Sequence, residues 1–448
     1  MSVLLEGGIV LTMDGGKVIR DGSVLVHGKK IIAVGKSGDV RCEAERIIDC
    51  RNKIIMPGLV DTHIHLAQAL IRGSADDLPL IKWLNERVWP LQSTYDEDLG
   101  AISTELCIAE MIRSGTTSFV ESGLHRKYGL DGIARVVERT GIRGVLSKLV
   151  MDRAYYADHR MYGGMIEDKG EAISEARRMI DRWHDGAGGR IKVWFGARTP
   201  GACSPELYTE LGAMAEELNV GVTLHLAEVR EDVRFMRGEY GMSPVEFMES
   251  CGLNNGRTIL AHCVWLGERD IKLMKANVAH CPASNLKLAS GIAPVVEMLK
   301  NGVNVSLGCD GAPCNNSYDM VREMYLASLL QKGQLLDPEA LPANEALKLA
   351  TLNGAEAAGF HCGSITEGKL ADIITINLKK SHLMPLRDPV SAVVYSAKGS
   401  DVCDVLVDGK VLMENRVLKT IDEWDLLRMV ERKGLNPDER LTSRKQNP

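Results

Sequence analysis

The chain has 448 residues, 45% of them hydrophobic and 25% charged, with a formal net charge of −6 at pH 7. That length can bury a large core and predicts more than one domain. The acidic balance argues against a basic nucleic-acid surface, and no apolar run approaches the roughly 20 residues that a membrane-spanning helix needs.

The N-terminus, MSVLLEGGIVLTMDGG, has no basic segment ahead of its apolar residues and reads as short strand and turn, so no signal peptide is expected. The 11 cysteines are odd in number and contain no C-x-x-C pair. This argues against a disulfide framework or a zinc knuckle and points to a reducing, cytoplasmic setting.

Residues 1–56 read as strands punctuated by Gly and Asp-Gly turns, as in GSVLVHGKKIIAVG and RIIDCRNKIIMPG. The texture returns over residues 361–420, in GSITEGKLADIITINL and DVCDVLVDGKVLMENRVL. The two chain ends are therefore expected to build one small β-sandwich domain. Residues 421–448 read as a C-terminal helix and tail, and the last stretch, NPDERLTSRKQNP, is polar.

Between the ends, residues 57–360 alternate apolar strands with long helical stretches. The strands are IIMPGLVDTHIH, TTSFVES, GVLSKLV, IKVWFGA, VGVTLHLAE, RTILAHC, ANVAHC and VNVSLGCD. Eight such repeats predict an α/β fold, a TIM-like (β/α)8 barrel. The helix within STYDEDLGAISTELCIAEMIRSG is expected to start at a capping box of Thr94 and Glu97 and to stop at Gly115.

Barrel enzymes gather their chemistry at the C-terminal ends of the strands. His63 and His65 end the first strand, and their spacing of two puts both rings on one face. His225 ends the fifth strand with Glu228 three residues on; His262 ends the sixth, His280 the seventh, and Asp310 the eighth. Imidazole and carboxylate donors suit Zn²⁺, one ion per subunit, with Fe²⁺ as the alternative, and three or four protein ligands leave room for a water. His63, His65, His225 and Asp310 are assigned to the metal, and His262 to a donor role beside it.

The stretches PGLVDTHIH, HLAE, AHC, HCPASNLKLASGIAPV and GCDGAPCNNSYDM together resemble the amidohydrolase superfamily. Within it the chain is similar to the 5'-methylthioadenosine/S-adenosylhomocysteine deaminases. GMSPVEFMESCGL also resembles the triazine hydrolases, such as atrazine chlorohydrolase and melamine deaminase. The resemblance implies a hydrolase of C–N bonds other than peptide bonds, in cyclic amidines. It would replace the exocyclic amine of a purine or purine nucleoside with hydroxide and release ammonia. Pterins or s-triazines are the alternative, dechlorination and dealkylamination included. A scaffold that had lost catalysis should lack these ligands.

The resemblance also implies roles. Asp310 takes a proton from the attacking water, His262 orients it, and Glu228 protonates the ring nitrogen and then the leaving group. On the substrate side it points to Trp89 and Gln92 in VWPLQ, to Lys148, Arg160 and Arg198, and to His125 and His280 as pocket-shaping residues. Adenosine-type members have a glutamate at Gln92, used on ribose hydroxyls, an arginine at Lys148 and a histidine at Arg198. Arg160 aligns loosely with a second family arginine that meets an amino-acid carboxylate. The changes suggest altered specificity over intact chemistry, with Lys148 and Arg198 making the pocket more cationic. The expected partner is a small heterocyclic substrate, with no nucleic acid or membrane, and the resemblance implies a homodimer or homotetramer.

Overall fold

The computed structural model describes residues 1–40 and 43–433. The polar stretch 436–448 read above as a tail lies outside the described residues.

Eight parallel strands form the barrel, in the order read from the sequence: Leu59–Ile64, Thr116–Glu121, Arg143–Val150, Ile191–Ala197, Val222–Leu226, Thr258–His262, Asn277–His280 and Val305–Leu307. All but Lys192 of these strand residues are buried, because helices cover the outer face and side chains fill the inside. A parallel bridge between Ile64 and Asp310 brings the last strand back to the first. The Asp310 N–H donates to the His63 carbonyl at 2.7 Å across that seam. The approach depends on Gly308, where a Cβ would stand 2.7 Å from the His63 Cβ.

The first strand departs from its sequence reading. IIMPGLVDTHIH is two strands, not one: Lys53–Pro57 belongs to the other sheet, and the chain crosses into the barrel at Gly58. The helix Glu97–Ser114 also starts differently. Asp96 caps it, accepting from the Leu99 N–H at 2.9 Å, while the Thr94 hydroxyl donates to the Leu91 carbonyl at 2.7 Å. Asp96 stands one residue before the first helical residue, where a short acidic side chain reaches the free N–H groups, and Thr94 is two residues too early. Gly115 ends the helix with φ +93°, a left-handed conformation that glycine adopts without a Cβ clash.

Strands from both chain ends form one further sheet of nine strands. The expected sandwich takes the form of this single sheet bent back on itself. The Ile31 N–H donates to the Lys369 carbonyl and the Ala371 N–H to the Lys29 carbonyl, so the tip of the Val18–His27/Lys30–Lys36 hairpin meets the segment that leads into the strand Ile373–Asn377. Val3, Val24, Val26, Ile55, Ile373 and Leu406 share the core so enclosed. Arg143, at the start of the third barrel strand and 1% exposed, ties the two units together. Its guanidinium donates to both Asp372 oxygens, at 2.7 and 3.1 Å, and to Asp408.

Candidate active site

The strand ends bring His63, His65, His225, His262 and Asp310 into one buried cluster. The ligand atoms of His63, His65 and His225 lie within 4.8 Å of one another, as do those of His63, His262 and Asp310. His65 Nε2 is 3.3 Å from His225 Nε2, and Asp310 Oδ1 is 3.6 Å from His63 Nε2 and 3.4 Å from His65 Nε2. The chain leaves the sixth and eighth strands in left-handed conformation, at His262 (φ +71°) and Asp310 (φ +62°). Such backbone is costly for a residue with a Cβ and is a mark of functional positions.

Hydrogen bonds on the far side orient three of these rings, His63, His225 and His262. His225 Nδ1 is 2.8 Å from the Arg198 carbonyl, which can only accept, so Nδ1 carries the proton and Nε2 presents a lone pair to the centre. His63 Nδ1 meets the Ser122 hydroxyl at 2.6 Å, and its buried Nε2 has no partner among the described residues. His262 Nδ1 meets Asn285 Oδ1 at 2.8 Å. The Ser284 hydroxyl donates to Asp310 Oδ2 at 2.6 Å, and the Gly311 N–H to Oδ1 at 2.8 Å.

Burial holds the histidines neutral: His63 is lowered to about 4, His65 to about 3, and His225 well below its usual range. Burial is the largest influence on Asp310 and opposes its charge, but His63, His262 and His65 together outweigh it and keep the carboxyl well below the ordinary range. Three neutral imidazoles and a carboxylate converging on one point, with an orphaned His63 nitrogen among them, fit a Zn²⁺ ion. These four side chains could hold it, as the sequence spacing suggested.

Glu228 follows the fifth strand and is 3% exposed. Its Oε2 stands 3.7 Å from His262 Nε2, and its Oε1 has no partner among the described residues. Burial raises its pKa, which favours a carboxyl able to hold and release a proton. Glu228, His262, His225, His65, Asp310 and Arg198 line one small cavity, walled on its apolar side by Leu80, Trp83, Leu84 and Leu288, with Tyr156 and Thr199 alongside.

The substrate-side candidates divide. Arg198 faces the cavity, its guanidinium 5.8 Å from the centre of the buried Trp89 ring. Gln92 is buried but not in the cavity wall; its Oε1 is 3.4 Å from Gln68 Nε2. Lys148 does not make the pocket more cationic. It is fully buried, and Nζ donates to Glu167 and to the Leu149 carbonyl at 2.5 Å, so the carboxylate neutralises its charge. Glu167 Oε1 is also 3.7 Å from His125 Nε2, outside the cavity wall. His280 is buried with both ring nitrogens unpartnered among the described residues, and it does not line the cavity. Arg160 sits exposed on the short hairpin Tyr155–Tyr156/His159–Arg160.

Sequence reasoning missed Tyr156, Asp232, Ser122 and Asn285, each of which supports a site residue. Asp232 left a trace as an acid in the first turn after HLAE, and Asn285 as a residue of the quoted stretch HCPASN.

A parallel eight-stranded barrel with a histidine and aspartate metal centre at its strand ends defines the class as metal-dependent barrel hydrolases. Residues 54–412 match the Amidohydrolase family, and the chain belongs to that family. It is 41% identical over 436 residues, 96% of this chain and 97% of the relative, to a 5'-deoxyadenosine deaminase of Methanothermobacter thermautotrophicus. It is 39% identical to a 5-methylthioadenosine/S-adenosylhomocysteine deaminase of Syntrophomonas wolfei, over 95% of this chain and 97% of that one. A crystal structure of an adenosine deaminase from Xanthomonas campestris with bound zinc superposes with a TM-score of 0.90 at 32% identity, covering 98% of both chains. No helix among the described residues is long and apolar enough to cross a membrane.

Proposed function

We propose that this protein is a zinc-dependent aminohydrolase. It replaces the exocyclic amine of a nitrogen heterocycle, of purine or purine-nucleoside type, with hydroxyl and releases ammonia. This is hydrolysis of a C–N bond in a cyclic amidine. The observation that carries the reading is Glu228, buried, with one oxygen unpartnered among the described residues and the other 3.7 Å from His262, beside the histidine and aspartate cluster. The relatives named for deamination of 5'-deoxyadenosine, methylthioadenosine and adenosine support it.

A divalent ion held by His63, His65, His225 and Asp310 would lower the pKa of a water toward neutrality. The chain's own groups do the rest. Asp310 accepts a proton from the attacking water, with its second oxygen held by Ser284. His262, its Nε2 3.9 Å from Asp310 Oδ2, orients the attacking oxygen. Glu228 delivers its proton to the ring nitrogen as the C–O bond forms, then takes the proton of the added hydroxyl and passes it to the amine as the C–N bond breaks, so that ammonia leaves and the ring carbon keeps an oxo group. Leu80, Trp83, Leu84 and Leu288 hold the flat ring and exclude water.

The ten described cysteines are all buried, unpaired thiols, which supports a cytoplasmic setting. The assembly is proposed to be a homodimer or homotetramer. The test of function is a screen of aminated purines, their nucleosides, pterins and triazines for ammonia release by the zinc-loaded protein. Chloride or alkylamine release without ammonia would overturn the reading.

A further inference from the structure

Arg198 is 8% exposed and lines the same cavity as Glu228, His262 and Asp310. A buried guanidinium keeps its charge at every physiological pH, and it is costly to bury unless an anion or several acceptors meet it. Arg198 has neither. Among the described residues no carboxylate lies within 4.0 Å of it, and its one side-chain partner is the uncharged His225 Nε2 at 3.5 Å. Trp89 packs against it and supplies no acceptor atom. Asp310, Glu228 and Glu121 are carboxylates coupled to its charge; the first two have work in the proposed proton transfers, and Glu121 accepts from the Leu66 and Gly123 N–H groups. Trp83, in the wall of the same cavity, has a buried Nε1 with no acceptor among the described residues. The cavity thus combines apolar walls for a flat ring with hydrogen-bond donors that lack acceptors. Lys148, the other cation expected here, is neutralised by Glu167 and makes no such demand.

We propose that Arg198 reads an oxygen on the substrate ring, so that the preferred substrate is a lactam-type aminoheterocycle carrying an oxo group as well as the amine that leaves. The proposal rests on the deaminase reading above. The planar fork of the guanidinium matches a ring oxygen together with a nearby unprotonated ring nitrogen, both of which accept, in a charge-assisted pair. A ring lacking the oxygen leaves the buried cation unmatched, and sites built to hydrogen-bond a substrate group discriminate strongly against analogues without it.

The experiment has a catalytic and a binding arm, both on zinc-loaded protein. The catalytic arm compares ammonia release from isoguanine and guanine with that from adenine and 2-aminopurine, and from the corresponding ribosides. The expected result is kcat/KM at least about 100-fold higher for the amino-oxo rings. Arg198→Gln should erase that preference while zinc content stays at the wild-type level, and Arg198→Lys should keep part of it. The binding arm compares xanthine, the product of both oxo rings, with hypoxanthine, the product of adenine. Wild type should bind xanthine at least about tenfold tighter and Arg198→Gln should bind the two alike. Equal handling of amino-only rings by wild type, equal affinity for the two products, or a preference surviving in Arg198→Gln would each overturn the proposal. Absence of ammonia from every ring would sink the deaminase reading instead, and the binding arm would still decide on Arg198.

Discussion

The backbone N–H of Glu228 donates to the Asp232 carboxylate at 2.8 Å, so the proposed proton carrier is held by a buried acid one helical turn ahead. The same oxygen accepts from the Val229 N–H at 3.3 Å and from the Tyr156 hydroxyl at 3.2 Å. Asp232→Ala frees all three donors. Turnover should fall about 10–100-fold, the usual effect of losing a supporting hydrogen bond, with zinc content unchanged because no ligand is touched. Steady-state kinetics paired with metal analysis checks this; unchanged turnover would leave Asp232 a helix cap and nothing more.

Glu228→Gln separates proton transfer from metal binding. The amide keeps the shape of the side chain but cannot carry the proton, so kcat should drop at least about 100-fold while bound zinc stays near one per chain.

The metal centre should respond in the opposite way. His63→Ala or His225→Ala removes a convergent ligand and should strip the zinc, and Asp310→Asn should weaken both metal content and rate. A chelator should lower the melting temperature of wild type, since an ion that binds only the folded protein stabilises it. It should have little effect on His225→Ala. A full equivalent of zinc in either histidine variant would refute the ligand assignment.

The Lys148–Glu167 pair predicts a stability effect without a catalytic one. Lys148→Met leaves the Glu167 carboxylate buried, with Arg126 Nε at 3.2 Å as its remaining cation. The loss should be about 3 kcal/mol, the scale for breaking a buried pair from one side. Lys148→Met/Glu167→Leu should recover most of it. Urea midpoints of the single and double variants give the answer.

Glu323 predicts an alkaline limit. It is fully buried, accepting from the Ala283 N–H at 3.1 Å and from Asn315 Nδ2 at 3.0 Å, and burial raises its carboxyl to about 8. An unfolded glutamate releases its proton near pH 4.3, so between about 4.3 and 8 the folded chain holds the extra proton. That contribution is complete at acid pH and is lost as pH rises through 8. The fall in melting temperature from pH 6 to pH 9 should shrink in Glu323→Gln, which cannot ionise. An identical fall in both proteins would show that Glu323 does not titrate in this range.

The residues of the histidine and aspartate cluster were legible in the sequence because a strand has a period of two and a parallel barrel presents its strand ends at one face. His63, His65, His225, His262 and Asp310 could each be placed by counting strands. Local chemistry also fixed Gly115 as a helix end, since a left-handed stop favours glycine. It misplaced the cap at Thr94, where two residues of register decide which side chain reaches the free N–H groups, and it ran one strand through Gly58 because both halves are equally apolar.

The character of the pocket was beyond the sequence. Lys148 and Arg198 are both cations at strand ends, and nothing local distinguishes them. Glu167 reaches Lys148 from a loop 19 residues away and cancels its charge, whereas among the described residues no carboxylate closes on Arg198. Residue type set which groups could coordinate a metal or move a proton. The tertiary structure decided which charges remain unpaired at the substrate, because pairing depends on a few ångströms between segments that only the closed barrel brings together.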